Sequence, residues 1–434
     1  MGFISRGELQ RLVEPDRVHR SVYVDPAIFD MEMERVFGRA WIYVGHESQV
    51  PKPGDYITAL IGRQPVVMVR HTDGAIHVLY NRCGHKGAVV VGERCGNAKF
   101  FRCCYHGWTY KTDGSLLGVP LRTGYEGTSF DTTNAAFWMA KVPRVQNYRG
   151  FVFASLADHG LDLKTFLGTA LSSLDDMVDR APEGQLEIAG GCFRILQRSN
   201  WKIFMENLND LMHPMIVHES SVEAARQQGR EVAPGEPQPL VIKILAGNGE
   251  AYSFWERLGV TVDEHGHSFM GGIVSPRSND PVFLQYVAAM EKNYGKERTE
   301  KILSVNRHNT IFYPSCSVQA SFQQMRVIRP LAIDRTLVEV WNFRLKGAPE
   351  AMYQKTLLYS NVVNSPSSIV MPDDLEAYNR VQVGLGTAGS DWVSLHRDTG
   401  RDRPGSGETS AIGTSELPMR NQFRAWLRYM TAEA

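Results

Sequence analysis

The sequence lacks an excess of charge of either sign, because 47 Lys and Arg residues balance 47 Asp and Glu residues among 434. A chain without a basic surplus has no general electrostatic attraction to nucleic acid or to an anionic membrane. It also lacks any apolar run near the ~20 residues that span a bilayer. Its first ten residues, MGFISRGELQ, contain no apolar core of a secretory signal. We therefore expect no nucleic-acid partner and no membrane partner.

Cysteine is also scarce, and six residues do not suggest a disulfide framework in a chain this long. Thiols that stay unpaired are typical of a reducing compartment, so we expect a cytoplasmic protein. The six are Cys83, Cys95, Cys103, Cys104, Cys192 and Cys316. The length exceeds that of one ordinary hydrophobic core, which predicts at least two domains. No internal repeat is visible.

A β-rich block comes early in the chain, and mixed sequence follows it. Strand-like runs such as DYITALIG, PVVMVRH and AIHVLYN are separated by turn signals, and RGFVFASL closes the block. Helical patterns are predicted at 163–181, from about Trp201, at 349–362, at 373–383 and at 418–431. The stretch 384–417 is rich in Gly, Ser, Thr and Asp, which predicts long surface loops. Its GLGTAG run matches a nucleotide-binding pattern by chance, because the helix precedes the run instead of following it.

Two short motifs combine cysteine with histidine. CGH runs from Cys83 to His85, CCYH runs from Cys103 to His106, and seventeen residues separate them. Two cysteines and two histidines could hold one tetrahedral zinc ion. They could equally hold a two-iron cluster in which histidines replace cysteines on one iron. Zinc sites more often pair C-x2-C with a distant H-x3-H, so one cysteine and one histidine in each motif favour the cluster.

This spacing resembles that of the Rieske non-haem iron oxygenases, specifically the large subunits of aromatic ring-hydroxylating dioxygenases. Their pattern is C-x-H, a spacer near seventeen and C-x2-H. The resemblance implies a [2Fe-2S] Rieske cluster, with Cys83 and Cys103 on one iron and His85 and His106 on the other. Cys104 then stands where the family usually has proline, and it is not a ligand.

A second group of metal-ligating residue types lies in NWKIFMENLNDLMHPMIVHES. Glu206, Asp210 and His213 are spaced i, i+4 and i+7, which predicts that they share one face of a helix. His218 follows five residues after His213, and Pro214 predicts a bend that could bring both imidazoles to one point. Two histidines and one carboxylate are the ligand set of non-haem Fe(II) oxygenases.

The family resemblance supplies the missing carboxylate, because family members carry an acidic residue eight positions before a glutamine on a late helix. Asp374 lies eight residues before Gln382 and is, by resemblance, the third ligand of a mononuclear Fe(II). The adjacent Asp373 is the alternative ligand, although we expect it to cap the helix after Pro372 instead.

Asp210 matches the bridging carboxylate of the family. By resemblance, it would connect His213 to His106 of a neighbouring subunit in a trimer. Within this chain alone, an aspartate at that position could equally be a solvated or capping residue. Glu206 and Asn207 also match the family's helix, and we expect them to support the ligands or the fold.

Two further patterns lie outside these motifs. His265 and His267 form an H-x-H pattern in DEHGHSF without a second half of a metal site, and we expect them on a polar surface loop. Arg326, in SFQQMRVIRP, could bind a substrate carboxylate or serve a structural purpose in its strand. Apolar residues around the iron-binding histidines could form an aromatic pocket or an ordinary core.

The resemblance implies an α+β fold in which an antiparallel β Rieske domain is inserted into a helix-grip catalytic domain with one large antiparallel sheet. Residues 1–37 would form an N-terminal helical part of the catalytic domain. Residues 38–157 would form the Rieske [2Fe-2S] domain, and residues 158–434 the catalytic domain with the mononuclear iron.

By resemblance, the chain is the large subunit of a terminal oxygenase that uses O2 as co-substrate and dihydroxylates an aromatic ring, most like those acting on salicylate, phthalate or terephthalate. It has no credible flavin or nicotinamide site, so a separate ferredoxin and/or flavin reductase would deliver electrons. A homotrimer α3, or α3β3 with a small β subunit, is expected. The alternatives are a Rieske monooxygenase (hydroxylase or demethylase) and a non-enzymatic zinc-binding structural protein.

Overall fold

The computed structural model describes residues 4–271, 279–305 and 307–432. The α-helices in these ranges are α1 (Arg6–Gln10), α2 (Ser21–Val24), α3 (Pro26–Arg35), α4 (Leu163–Leu167), α5 (Leu171–Asp179), α6 (Trp201–Leu208), α7 (Pro214–Val217), α8 (Glu219–Arg230), α9 (Leu240–Gly247), α10 (Tyr252–Leu258), α11 (Pro281–Tyr294), α12 (Lys296–Ser304), α13 (Glu350–Asn364), α14 (Met371–Leu385) and α15 (Leu417–Thr431). The β-strands are β1 (Val13–Glu14), β2 (Arg17–His19), β3 (Ile42–His46), β4 (Asp55–Ile61), β5 (Gln64–Arg70), β6 (Ile76–Tyr80), β7 (Cys95–Asn97), β8 (Phe100–Arg102), β9 (Thr109–Lys111), β10 (Leu116–Gly118), β11 (Arg144–Tyr148), β12 (Phe151–Ser155), β13 (Leu186–Ile188), β14 (Phe193–Gln197), β15 (Val260–Asp263), β16 (Ser268–Gly271), β17 (Arg307–Phe312), β18 (Cys316–Gln319), β19 (Gln324–Ala332), β20 (Arg335–Leu345), β21 (Trp392–Ser394), β22 (Arg403–Pro404) and β23 (Glu408–Ala411).

The described chain divides into two compact units. The smaller unit is continuous in sequence and runs from Phe37 to Leu163. The larger unit contains the chain on both sides of that segment. Of the helices in the described ranges, none combines the length and the apolar character needed to cross a bilayer.

The smaller unit consists of three antiparallel sheets. Their strand orders are β6-β5-β4-β7, β10-β9-β8 and β11-β12-β3. One buried core includes Val67 and Val69 of β5, Tyr110 of β9, and two residues from loops, Cys83 and Cys103. Because both loop cysteines belong to this core, the loop after β6 and the loop between β8 and β9 are anchored on the same packed interior.

The larger unit is built on a ten-stranded antiparallel sheet. Its strand order is β13-β20-β19-β18-β17-β16-β15-β23-β22, and β14 also pairs with β20. Helix α6 contacts β17 and β19, and α13 contacts β20. The predicted α+β class with one large antiparallel sheet is confirmed. The predicted late helices are confirmed too, since α13, α14 and α15 begin and end within two residues of the expected positions.

The prediction that 384–417 forms only loops is wrong in part. Strands β21, β22 and β23 lie within it, and β22 and β23 form a hairpin that extends the large sheet beside β15. The polar composition gives no sign of these strands, because β21 and β23 pair with strands distant in the sequence, β2 and β15.

A buried carboxylate joins three helices of the larger unit. Oε1 of Glu32 in α3 accepts hydrogen bonds from Nζ of Lys202 and Nε1 of Trp426, both at 2.6 Å, and Oε2 accepts one from Nε1 of Trp201 at 2.8 Å. All four residues are fully buried. Since α6 carries two of the donors, this network fixes the helix that leads into the histidine segment.

We expect Glu32→Gln to lower the free energy of unfolding by about 3–5 kcal/mol, because it leaves Lys202 as an uncompensated buried charge. Chemical denaturation followed by tryptophan fluorescence measures the change. Glu14→Gln is the matched control, because its partner Arg17 is solvent-exposed and the pair is screened. Equal denaturation midpoints for the two variants would contradict a structural role for Glu32.

Candidate metal centres

The first candidate centre lies on two loops of the smaller unit. In the first loop, the N–H of Cys83 donates to the carbonyl of Ala88 at 2.8 Å, and the N–H of Gly87 donates to the Cys83 carbonyl at 3.0 Å. Gly87 has a φ of 77°, a left-handed conformation that glycine adopts without strain. The tight closure of this loop fixes the directions of the Cys83 and His85 side chains.

The second loop repeats this arrangement between β8 and β9. The N–H of Cys103 donates to the carbonyl of Trp108 at 2.8 Å, and the N–H of Gly107 donates to the Cys103 carbonyl at 3.0 Å. Gly107 has a φ of 71°. Cys103 is buried, whereas Cys104 is exposed. The same backbone closure thus directs the first cysteine of the pair towards the core and the second towards solvent.

The four motif side chains approach one another as two pairs. The ring centroids of His85 and His106 are 4.6 Å apart, and the thiols of Cys83 and Cys103 lie close enough to hydrogen-bond. His85 also stacks on Trp108 with ring centroids 4.9 Å apart. Its Nδ1 atom is buried and has no hydrogen-bond partner among the described residues. A buried nitrogen in that state is suited to a metal ligand.

A [2Fe-2S] cluster with mixed ligands fits this pairing, because cysteines bind one iron and histidines bind the other. One tetrahedral zinc ion would instead draw all four ligand atoms to within about 4 Å of one another. Within the part of the chain that the structure describes, no three of these four side chains converge in that way. The donor set therefore fits two metal ions better than one.

The protein also places hydrogen-bond donors around the cysteine sulfurs. The hydroxyl of Tyr110 lies 3.0 Å from Sγ of Cys83. Burial raises the pKa of the Cys103 thiol, and the backbone N–H groups of Tyr105 and His106 that point at its sulfur oppose this effect. Donors at sulfur stabilise the thiolate, which is the form that binds a metal.

The second candidate centre lies in the larger unit, beyond the end of α6. The predicted helical face shared by Glu206, Asp210 and His213 is wrong, because α6 ends two residues before Asp210. Asn209 leaves the helical conformation with φ −121° and ψ 25°. The carboxylate of Asp210 then accepts the N–H of Met212 at 2.7 Å, a local turn that competes with helix formation.

Pro214 begins a new helix, α7, instead of bending α6. Its ring fits the first helical position, where the missing N–H costs nothing. His213 directly precedes α7 and His218 directly follows it, so this four-residue helix sets the separation of the two imidazoles. Their ring centroids are 5.7 Å apart.

The carboxylate of Asp374 approaches both imidazoles. Its Oδ1 lies 3.8 Å from Nε2 of His213 and 3.6 Å from Nε2 of His218. These three residues have ligand atoms that all lie within 4.8 Å of one another. Two imidazoles and one carboxylate form the donor set of non-haem iron oxygenases, so the residues present fit a mononuclear iron.

Two neighbouring side chains orient this trio. Oδ2 of Asp373 lies 3.5 Å from Nδ1 of His218, and Nδ2 of Asn207 donates to Oδ1 of Asp374 at 3.5 Å. The expectation that Asp373 caps α14 is wrong, since this helix has no side-chain cap. Its carboxylate faces the imidazole instead, where it can hold the ring in one orientation and tautomer.

Burial sets the protonation states in this centre. It lowers the pKa of His213 to about 3, with a smaller contribution from the nearby His218. It also lowers the pKa of His218, against the opposing charge of Asp373. Neutral imidazoles are the form that binds a metal. Burial raises the pKa of Asp374 to about 7, a cost that a bound cation would relieve.

Asp210 lies beside this trio without joining it. Its Oδ2 is 3.9 Å from Nδ1 of His213, which is longer than a hydrogen bond. Burial raises the pKa of Asp210, and backbone N–H groups oppose the shift. The side chain is therefore held near His213 by its own turn, with one carboxylate oxygen directed at the imidazole.

The prediction that the H-x-H pattern lies on a polar surface loop is wrong for His267, which is 1% exposed. Its Nε2 lies 2.8 Å from the carbonyl oxygen of Phe166, and its Nδ1 accepts the N–H of Tyr313 at 2.9 Å. Both partners are backbone groups distant in the sequence, which the local polar composition could not reveal. His267 is a satisfied core residue.

Glu206 also belongs to the fold and not to the metal centre. Its Oε1 accepts the hydroxyl of Tyr23 at 2.8 Å and lies 3.5 Å from Nε2 of Gln422. Burial raises the pKa of Glu206 to about 8. This carboxyl connects α6 to α2 and α15.

Three supporting features had not been predicted from the sequence. Asp373 faces an imidazole, Tyr110 contacts a cysteine sulfur, and Gly87 and Gly107 close the two loops. The glycines had a visible signal, because each follows its cysteine by four residues. The two side-chain contacts had none, since they depend on how distant strands and helices pack.

Comparison with known proteins adds to this geometry. Residues 40–143 match the family described as Rieske [2Fe-2S] domain, and residues 187–433 match the family described as ring hydroxylating alpha subunit (catalytic domain). Toluate 1,2-dioxygenase subunit alpha of Pseudomonas putida is 33% identical over 396 residues, which cover 89% of this chain and 84% of that protein. Anthranilate 1,2-dioxygenase large subunit of Acinetobacter baylyi is 32% identical over 387 residues, which cover 88% and 80%. A solved structure of naphthalene 1,2-dioxygenase with indole bound in the active site has a TM-score of 0.82, 25% identity, and coverage of 97% and 94%.

Proposed function

The chain belongs to the family of ring-hydroxylating oxygenase alpha subunits with a Rieske domain, and we propose that it dihydroxylates the ring of an aromatic carboxylate. The family's cofactors are a Rieske cluster and a mononuclear iron, which when bound supply electron storage and the redox chemistry that reduces O2. One observation carries the proposal. His213, His218 and Asp374 converge in a chain whose relatives are named as 1,2-dioxygenases of toluate and anthranilate.

The ligand assignments are part of this proposal. The cluster ligands are Cys83, His85, Cys103 and His106, and the iron ligands are His213, His218 and Asp374. Their domains are 38–157 for the cluster and 1–37 with 158–434 for the iron. Cysteines without disulfide bonds are typical of a reducing compartment, which supports the proposal of a cytoplasmic location.

The proposed reaction consumes one aromatic acid, one O2, one NAD(P)H and one proton, and it yields one cis-dihydrodiol and NAD(P)+. Both oxygen atoms enter the product, and both electrons come from the nicotinamide. The family consists of terminal oxygenases that work with separate electron-transfer partners. For this chain, we propose a flavin reductase, alone or with a ferredoxin.

The proposed assembly is a homotrimer α3, or α3β3 with a small β subunit. Relatives named as alpha or large subunits support the second form. In such a trimer, Asp210 would hold His213 and His106 of a neighbouring subunit in fixed orientations, and so connect the two centres. The position of Asp210 beside His213 supports this role.

The substrate class is tested by turnover. The purified protein, with its reductase partner, NADH and air, is given benzoate, 3-methylbenzoate and 2-aminobenzoate in parallel with benzene and naphthalene. Substrate-dependent O2 uptake and chromatography of the products should identify acids as preferred. Faster conversion of the hydrocarbons would reject the carboxylate class, and turnover of none would reject the function.

Asp210→Asn should leave the cluster reducible but slow oxygenation by about 10- to 100-fold, the usual cost of losing a residue that orients a metal ligand. A complementation experiment sharpens this prediction. Subunits carrying Cys103→Ser and subunits carrying His213→Ala are each expected to be inactive, and hybrids of the two should recover part of the activity. Assembled hybrids as inactive as their parents would contradict a connection between subunits.

A further inference from the structure

The large sheet of the larger unit has a buried face that is unusually polar beside the candidate iron centre. Five buried polar side chains lie on adjacent strands β18, β19 and β20: Ser317, Gln319, Gln324, Arg326 and Asn342. Gln319 and Gln324 are paired across strands, as are Ser317 and Arg326. Paired residues and residues two apart point to the same side of a sheet, so all five share one face.

Some of the polar side chains on this face hydrogen-bond to one another and to helix α13. Asn364 donates to Gln324 at 3.1 Å, Gln324 donates to Asn342 at 3.3 Å, and Asn342 donates to Ser360 at 3.1 Å. The chain of amides therefore closes onto helix α13 and leaves little hydrogen-bonding capacity for a ligand.

Two members of this face have hydrogen-bonding capacity that is not used among the described residues: Oγ of Ser317 and the guanidinium of Arg326. Nη2 of Arg326 donates to Oδ1 of Asn309 at 2.7 Å, but its buried Nε has no hydrogen-bond partner among the described residues. The guanidinium also makes no ion pair with any carboxylate in those residues. The charge of Asp374 acts on Arg326 through space without forming an ion pair. A buried cation without an ion-paired anion is unfavourable, because burial removes its hydration.

Contacts place Arg326 close to the iron centre. Asn309, which accepts from Arg326, donates its own amide hydrogen to the carbonyl of Leu208, the last residue of α6. The residue before it, Asn207, donates to Asp374. The arginine is thus tied to the end of the helix that supports the iron carboxylate, and its positive charge favours the ionised form of Asp374.

A cavity of about 830 Å³ lies beside helix α13, and one of its lining residues, Tyr359, connects it to the polar face. Lys243 and Lys355 are among its lining residues, together with a stacked pair of rings, Phe322 and Tyr359, whose centroids are 3.7 Å apart. The hydroxyl of Tyr359 donates to Gln319 on the polar face. The volume suits a small aromatic ligand. Lys355 is paired with Asp280, another lining residue, so Lys243 is the lysine of this lining whose charge that carboxylate does not offset.

We propose that Arg326 binds the carboxylate of the aromatic substrate and thereby selects aromatic acids over neutral arenes. The inference rests on the proposed function and names the residue that would give it this specificity. The carboxylate would accept charge-assisted hydrogen bonds from Nε and the guanidinium fork, and it would supply the ion-paired anion that Arg326 lacks. Asn309 would hold the fork in position.

Binding of benzoate and of benzamide, its neutral isostere, tests the proposal by equilibrium dialysis of the holoenzyme. Arg326→Met should weaken benzoate binding by about 10- to 100-fold, the cost of losing charge-assisted hydrogen bonds. Benzamide binding should change little. Arg326→Lys keeps the charge without the planar fork, and should fall between the wild type and Arg326→Met.

Arg329→Met is the matched control, because Arg329 lies on the same strand and pairs with Glu339, which keeps Arg194 as a second partner. It should bind benzoate like the wild type. The red-brown cluster absorbance and the thermal midpoint are recorded for every variant as controls for folding. If Arg326→Met does not fold, the comparison of Arg326→Lys with the wild type tests the proposal.

A wrong substrate class and a wrong role for Arg326 give different binding results. A wild-type protein that binds benzamide as tightly as benzoate would reject the carboxylate substrate class itself. A wild type that prefers benzoate, with Arg326→Met and Arg326→Lys equally selective, would overturn only the assignment of Arg326. Equal losses in Arg326→Met and Arg329→Met would overturn it as well, because the effect would then be general destabilisation.

Discussion

Asp374→Ala is expected to remove the mononuclear iron and to lower oxygenation by more than about 100-fold, while the cluster spectrum stays intact. The reason is the position of its carboxylate, 3.8 Å and 3.6 Å from the Nε2 atoms of His213 and His218. Substituting a residue that only orients a metal ligand typically lowers metal affinity or activity by about 10- to 100-fold, so removing a ligand should lower them further. Iron content per subunit, together with product formation, measures the change.

Asp373→Asn is the matched control for this prediction, since Asp373 lies next to Asp374 and its carboxylate faces Nδ1 of His218, the nitrogen that points away from Asp374. It keeps a similar shape and removes the charge. We expect a smaller loss of activity, within about 10- to 100-fold, with most of the iron retained. If Asp373→Asn loses iron and Asp374→Ala does not, the two aspartates exchange roles.

Cys103→Ser is expected to abolish the [2Fe-2S] cluster, whereas Cys104→Ser should retain it. Cys103 lies in the core under the loop, with backbone N–H groups of Tyr105 and His106 directed at its sulfur. Cys104 is exposed on the other side of the same backbone. The visible absorption and the electron paramagnetic resonance spectrum of each purified variant measure the outcome. Loss of the cluster in the Cys104 variant, with retention in the Cys103 variant, would reverse the assignment.

The smaller unit was the more predictable part of the chain. Each candidate metal-binding loop is closed by its own residues. A glycine four residues after Cys83, and another four after Cys103, lets the backbone turn back and hydrogen-bond to the cysteine carbonyl. Motif spacing alone therefore located both candidate ligand pairs. Motif spacing does not predict the stacking of Trp108 on His85, since this contact depends on how two loops distant in the sequence meet.

The iron centre was less predictable, because it depends on breaks in local structure. Helical spacing suggested one long helix, but Asn209 ends α6 and Pro214 starts α7. At Asp210, a hydrogen bond between the side chain and the backbone forms a turn in place of a continued helix. Helix propensities do not specify at which residue such a turn forms. The sequence favours a helix cap at Asp373, because it holds no sign of the imidazole that this carboxylate faces.

Isotope labelling of the oxygen tests the central proposal most directly. The protein, its reductase partner and NADH are supplied with 18O2 and an aromatic acid that it converts, and the product is examined by mass spectrometry. Dihydroxylation predicts a cis-dihydrodiol that contains two 18O atoms for each NADH oxidised. A product with a single 18O atom, the second having been released as water, would contradict dihydroxylation and identify the chain as a monooxygenase.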